Sequence, residues 1–565
     1  MMSTKPKRSL KRLSVGGLPL IDAIAQRWQL RALLGEAIPA HGNESIPAAD
    51  TLVLLIYNLT VGKYPLYELA QWVDQLDGRC IGYLELAQTH FSDDRFGRAL
   101  DKLYQANRAC LMTRLVVKMI ETFGLDLSRV HNDSTTVKAF GKIPGKTRSG
   151  MELKRGHSKD HRPDLKQLVF SLSIAADGGV PIHHKVYAGN RTDDTTHIET
   201  WTTLRALHTR ADFLYVGDAK LCTDKQLHYI VAQGGRAITS VPETWSEVGR
   251  FKQALRQGKK TKSIIWRRHK PGGAEGEQEY FSRFAGEYLT DKRNYRLHWL
   301  YSSAKRQRDR DERTRRLSKA EQELNALNAG LNQRQLRTAK QIKQAAQEVI
   351  ERYRVSALLS VVVGQSEELY THQIGPGRPG KNTRFKTVRQ LIYTLTWVRS
   401  QHALQSAAKC DGVFPLLSTD DRLSAKEVLQ AYKYQPQLEK RFMQLKSLHL
   451  AAPLLFKKIE RVEANMFAFF IALILQALLE REVRNAMRSA GITSLKLYPE
   501  QRPAEHPTTS KVLAAFEDLS TYQIRAGSRV VEQYQDELND TQQTILALLN
   551  IPQDQFWAYN GARKK

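Results

Sequence analysis

Three carboxylates stand where acids need a reason. Asp133 lies at the centre of Val130-His-Asn-Asp-Ser-Thr-Thr-Val137, a β-branched run that reads as a strand. Asp is depleted in strands and costly to bury unless it is paired or bound to a metal. Asp218 ends the apolar run Phe213-Leu-Tyr-Val-Gly-Asp218. Glu439 follows Pro436 in Tyr432-Lys-Tyr-Gln-Pro-Gln-Leu-Glu439, where Pro suits a first helical turn. Each residue steps about 100° around a helix, so Lys446, seven positions after Glu439, lies almost above it. Leu438, Phe442 and Leu445 form a neighbouring apolar stripe, which puts the acid at the margin of a buried face.

Elements that could position these acids are legible around them. Between Ser128 and Pro242, strands are expected at about 129–137, 168–175, 180–188, 213–218 and 236–241. Helices are expected at about 195–208 and 223–233, and Gly178-Gly179 reads as a hairpin turn between the second and third strands. Three strands, helix, strand, helix, strand is the order of a ribonuclease-H-like domain. In that fold the first and fourth strands are neighbours, so Asp133 and Asp218 could share one site.

The flanking regions read differently. Residues 1–125 are expected to be a helical DNA-binding region of helix-turn-helix type behind a basic arm. Residues 126–242 form the first part of the core and 411–480 its second part, with the Glu-bearing helix. Between them, 243–410 reads as a basic β-rich and helical insertion. It carries Lys259, Lys260, Lys262, Arg267 and Arg268 around Trp266. Its charged helical stretch, 305–353, has Leu317, Leu324, Leu327, Leu331, Ile342 and Ile350 at helical spacing. Such a stripe suits packing on neighbouring elements as well as a partner coiled coil. Residues 369–410 hold no acid and seven basic residues, Arg378 and Lys381 among them, and include the glycine-proline loop Gly375–Gly380. They suit a DNA-facing surface or an exposed linker. Residues 481–565 are expected to be helical.

Composition bounds the partners. The chain has 565 residues, long enough for about three or four domains. Its 86 Lys and Arg against 58 Asp and Glu leave +28, which implies a polyanionic partner, nucleic acid first. The four cysteines form no Cys-x-x-Cys pair, against a disulfide framework or a structural zinc site and in favour of a reducing, cytoplasmic compartment. The most apolar run, Met466–Leu479, is too short to span a bilayer and is expected to be a core helix. His157 and His161 could ligate a metal from a helix, but their setting favours a loop. Asp193 and Asp194 compete with Asp218 and rank below it, since they follow Gly189-Asn190 in a capping turn.

Taken together, these residues resemble a bacterial insertion-sequence transposase of the Asp-Asp-Glu type, in the branch marked by Tyr-x2-Arg-x3-Glu-x6-Lys. The resemblance rests on His131–Thr136, Gly156–Lys166, Gly189–Asp194, Tyr215–Leu221 and Tyr432-x2-Gln435-x3-Glu439-x6-Lys446, and spans about 120–480. One departure is plain: the signature arginine is Gln435, which can hydrogen-bond a phosphate but brings no charge. The resemblance implies a ribonuclease-H-like core whose Asp133, Asp218 and Glu439 hold two Mg²⁺ ions, with Mn²⁺ as an alternative. It implies cutting and joining of element ends by phosphodiester hydrolysis and strand transfer. Tyr432, Gln435 and Lys446 would position the cleaved end. The implied partner is double-stranded DNA, as terminal inverted repeats and target, bound by a homodimer on paired ends in the nucleoid and with no membrane. Two other classes fit the same residues: a non-catalytic repressor derived from a transposase, and a structure-selective nuclease on the same fold.

Overall fold

The computed structural model describes residues 8–557 apart from 43, 84–90, 141–142, 158–161, 163, 193–194, 209, 270–275, 334–335, 452–455 and 528. His161, Asp193 and Asp194 lie outside the described residues. The fold is mixed α/β and divides into two compact units, one of residues 1–239 with 430–565 and one of residues 240–429.

The first unit opens with strand β1 (Arg8–Ser14), followed by helices that include Leu18–Arg27, Leu30–Ala37, Ala48–Tyr57, Asp93–Gln105 and Arg108–Phe123. Several of them, Ala48–Tyr57 and Asp93–Gln105 among them, pack on a 31-residue helix, Ile459–Ser489. That helix is long and apolar enough to cross a membrane, and its most apolar 18-residue stretch is wholly buried. Its apolar residues fall on all sides, the pattern of a helix enclosed by protein.

The unit's sheet is built from β2 (Arg129–Lys138), β3 (Gln167–Ala175), β4 (Pro181–Ala188), β5 (Leu214–Gly217) and β6 (Arg236–Ser240) in the order β4-β3-β2-β5-β6. The five strands fall where the periodicity puts them, and the helices His197–His208 and Asp224–Ala232 fall between them as expected. β3 is buried along its whole length. The β3–β4 turn places Gly178 at φ +75° and Gly179 at φ +63°, left-handed positions that suit the glycine pair. β2 and β5 pair in parallel, Val130 opposite Tyr215 and His131 opposite Val216.

In the second unit, β7 (Lys262–His269), β8 (Gln278–Phe284), β9 (Arg296–Ser302) and β12 (Val413–Ser418) follow the order β12-β9-β8-β7. Helices Ser303–Ala329 and Ala339–Arg352, with the turn after the first, bury Leu317, Leu324, Leu331, Ile342 and Ile350 in one core. That apolar stripe is therefore covered by the unit's own elements. The core's other wall is the base of a long hairpin, β10 (Leu359–Gln373) with β11 (Phe385–Arg399), whose tip holds the glycine-proline loop.

The C-terminal region differs from the helical expectation. After the two-residue strands β13 (Leu495–Lys496) and β14 (Pro503–Ala504) come β15 (Ser520–Ala526) and β16 (Arg529–Gln535). They form a sheet in the order β1-β15-β16. β1 pairs with a strand some 500 positions away, Arg8 opposite Ala526, so nothing local to either segment signals it.

Candidate active site

β2 explains why its motif is polar. Asn132 is buried, and its Nδ2 donates to Ser171 Oγ, Leu172 O and Ser173 Oγ at 3.2, 3.1 and 3.0 Å, stitching β2 to β3. Side chains alternate along a strand, so His131 and Asp133 share the opposite face. Asp133 is half-buried and its Oδ1 accepts from Ser134 N at 2.7 Å. The parallel pairing of β2 with β5 brings Asp133, in the middle of β2, onto the strand next to the one that runs into Asp218.

Asp218 sits in the turn that ends β5. Its Oδ1 accepts from Lys220 N at 2.9 Å, and its carbonyl accepts from Thr239 Oγ1 at 2.5 Å and Leu221 N at 3.1 Å. The carboxylate is 38% exposed, and His197 Nε2, itself buried, lies 3.9 Å from Oδ1. His197 Nδ1 meets the Tyr215 hydroxyl at 3.0 Å. Burial pushes the Tyr215 phenol far up, and the charges of Tyr187, Asp218 and Asp133 push it further, so this one hydroxyl feels both aspartates. His197 carried no sequence signal as a site residue, because its relation to Asp218 arises only when its helix docks on β5.

The helix Pro436–Ala451 carries the third acid and packs on β2 and β3. Gln435, just before it, turns its carboxamide onto β2: His131 Nδ1 lies 3.1 Å from Gln435 Oε1, and Gln435 Nε2 donates to Asn132 O at 3.5 Å. Tyr434 packs on the His131 ring at 5.1 Å, with the Arg129 guanidinium 5.7 Å from its own ring. Glu439 follows Gln435 by one turn and is exposed. Tyr432 and Lys446 are half-buried. Lys440 and Arg441 do not take the place of the signature arginine, because both turn inward. Lys440 Nζ donates to the buried Glu480 at 2.6 Å. Arg441 is wholly buried, and its Nε and Nη2 each donate, at 2.9 Å, to the carbonyls of Gly179 and Gly178 in the β3–β4 turn.

The three carboxylates suit a hard divalent cation in kind, offering oxygen alone and keeping access to solvent. Asp133 and Asp218 belong to neighbouring strands, and Glu439 rides the helix that packs on the strand of the first. Among the described residues no group of three or more His, Cys, Asp or Glu is drawn close enough to hold a metal ion.

The basic-cluster and hairpin-tip residues expected to contact DNA lie in the second unit and differ in what they touch. Lys259 and Arg267 are exposed. Lys260 Nζ donates to Tyr288 Oη at 3.1 Å, Lys262 stands over the Tyr301 ring, and Arg268 is bound to the buried Glu279 at 2.7 Å. Arg378 and Lys381 are exposed at the hairpin tip, and His157 is exposed in the first unit.

Residues 10–117 match a family described as a domain of unknown function, DUF4277. No curated protein matches the chain. A solved structure described as the piggyBac transposase synaptic complex with hairpin DNA aligns over 84% of this chain and 77% of that one, at 8% identity and a TM-score of 0.33. A likeness at that level fixes neither fold nor activity.

Proposed function

We propose that this chain is a DNA transposase of the Asp-Asp-Glu type, built on a ribonuclease-H-like core, which cuts and joins the ends of a bacterial insertion sequence. The observation that carries the reading is the parallel pairing of β2, which bears Asp133, with β5, which runs into Asp218. The helix bearing Glu439 packs on the first of these strands, which supports a shared site. Asp133 and Asp218 would hold Mg²⁺, and Glu439 would complete the oxygen set from the helix. Bound divalent ions supply an activated water or 3′-hydroxyl and stabilise the leaving oxygen. The chain's own part is to hold the scissile phosphate against these carboxylates, with His197 fixing the side of Asp218 and the Gln435 contacts fixing the start of the glutamate helix. Double-stranded DNA is the proposed partner, bound by a homodimer in the nucleoid.

The spread of the three carboxylates favours one rival, a protein that binds DNA without cutting it. The duplex flanking this reading frame, ending in its inverted repeats, separates the two. With Mg²⁺ the wild-type chain should release 3′ ends and join them to a second duplex. Asp133→Asn, Asp218→Asn and Glu439→Gln should each abolish cleavage while binding persists, because phosphate contacts come from the basic surfaces. Near-native cleavage by any one variant removes that residue from the site. Cleavage without joining would favour a structure-selective nuclease.

A further inference from the structure

The β10–β11 hairpin is too long for the core it serves. Its base is covered: Leu359 and Leu395 are buried, and Val361, Val363, Tyr393 and Trp397 pack against the helical core. Beyond Gly364 the ribbon leaves that core. Outward of the Val363–Leu395 pair the same face presents Leu391, Leu369 and Phe385, each opposite a polar residue, Glu367, Arg389 and Gln373. Leu369 is 67% exposed and Phe385 53%. Two strands alone are marginally stable in water, and both of their edges present unpaired N–H and C=O groups. A ribbon of 15 residues per strand, roughly 50 Å long at about 3.3 Å per residue, therefore has a partner in its working state.

Charge identifies the partner. The outer arm carries Arg378, Lys381, Arg384, Lys386 and Arg389, all exposed, and no acid occurs from Leu369 to Cys410. Among the described residues only Arg389 of these five makes an ion pair, at 3.8 Å with the exposed Glu367. Three of the cations lie in the turn from Ile374 to Arg384, at the end furthest from the core, where Gly375 and Gly377 at φ +100° and +116° open the backbone. A second copy of this chain would bring the same excess of positive charge, +28, to the contact. A major groove about 12 Å wide admits a two-stranded ribbon, whereas a minor groove about 6 Å wide does not without being opened. We propose that the β10–β11 hairpin is an arm that lies in the major groove of duplex DNA, its tip cations on the phosphates and its exposed Leu369 and Phe385 against base edges. The proposal rests on the DNA-binding part of the function proposed above and not on its catalytic part.

The test compares the full chain with a variant in which Glu367–Leu391 is replaced by Asn-Gly. Ser366 and Ile392, which pair, then close a two-residue turn and the covered base is kept. A second variant carries Arg378→Ala, Lys381→Ala and Arg384→Ala. On a long duplex with the flanking repeats, the shortened arm should lose about 7 base pairs of footprint, from about seven residues per strand at about 3.3 Å against 3.4 Å per base pair. Guanine N7 protection over those base pairs should go with it. The triple variant should lower the salt slope of binding by up to roughly 2.7, at about 0.9 per contact. An unchanged footprint and slope overturn the proposal, as does a shortened arm that changes only the sedimentation of the DNA-free protein, which would assign the arm to a second copy. Because both readouts are taken without Mg²⁺, an absence of cleavage by the wild-type chain removes the catalytic reading and leaves this one standing.

Discussion

His131 is neutral at pH 7 because it is wholly buried, which pulls its imidazole down to about 4 against the support of its Gln435 contact. With Gln435 Oε1 as acceptor, the ring proton belongs on Nδ1. Gln at this position is thus matched to a buried neutral histidine. An arginine offers only donors, so Gln435→Arg should fail to restore a phosphate clamp. The guanidinium would face the His131 N–H or leave β2 altogether, and DNA affinity measured at two salt concentrations should show no added contact. A variant with a salt slope raised by about one would refute this. The same histidine sets a pH dependence. Its folded pKa is depressed, so below its ordinary value of 6.5 the unfolded chain takes up the proton first and stability falls with pH, until both states are protonated near 4. Urea unfolding between pH 7 and pH 4.5 should show a loss on the order of 2–3 kcal/mol from this residue. His131→Gln should flatten that slope by a similar amount; an equal slope in both proteins would refute the assignment.

The glutamate helix is held at its first turns by two inward devices, the Gln435 contacts and the Arg441 fork on the β3–β4 turn. Glu480 stands behind the fork. Burial raises its carboxyl, but Arg441, Lys440 and Arg484 outweigh this and leave it below the ordinary range. Its stabilising share is therefore present above the unfolded pKa and is lost in acid. Arg441→Ala strips two turn carbonyls of their donors and removes one of the charges facing a buried carboxylate. It should cost about 3 kcal/mol in urea unfolding at pH 7. Arg441→Lys, which keeps the charge but not the fork, should recover only part of it. A midpoint unmoved by Arg441→Ala would mean that the fork does not fix this helix. Elements of this kind divide by range. β2 to β6 were legible because their apolar periods and glycine turn are local, and Asp133 and Asp218 stand out because an acid within a strand or just past its end breaks those periods. The Arg441 fork, His197 beside Asp218, and the β1–β15 pairing join residues far apart in sequence, and their segments carry no pattern pointing at one another. The β10–β11 hairpin was missed for a different reason: its outer strands bury neither face and mix polar with apolar residues on both, so the two-residue alternation that marks a strand is weak.

Over the whole molecule, a charge of +28 sets strong attraction to DNA, but only cations free to meet phosphates enter the salt dependence. The basic cluster of the second unit divides on this point. Lys259 and Arg267 are exposed, and neither makes an ion pair among the described residues. Lys260 and Lys262 lie on aromatic rings, burial of the Lys262 ammonium lowering its pKa. Arg268 neutralises Glu279, a carboxylate 3% exposed that also accepts from Ser302 Oγ at 2.6 Å. Lys259→Ala with Arg267→Ala should therefore lower the salt slope of DNA binding by up to roughly 1.8, with little change in sequence preference or in stability. Arg268→Ala should do the reverse, leaving the slope as it was and costing about 3 kcal/mol because Glu279 stays buried without its cation. Binding isotherms between 50 and 200 mM salt, read beside urea unfolding of the same proteins, decide the matter. If Arg268→Ala lowered the slope and left the unfolding midpoint in place, the ion pair with Glu279 would not hold in solution and the cluster would act on DNA as a single surface.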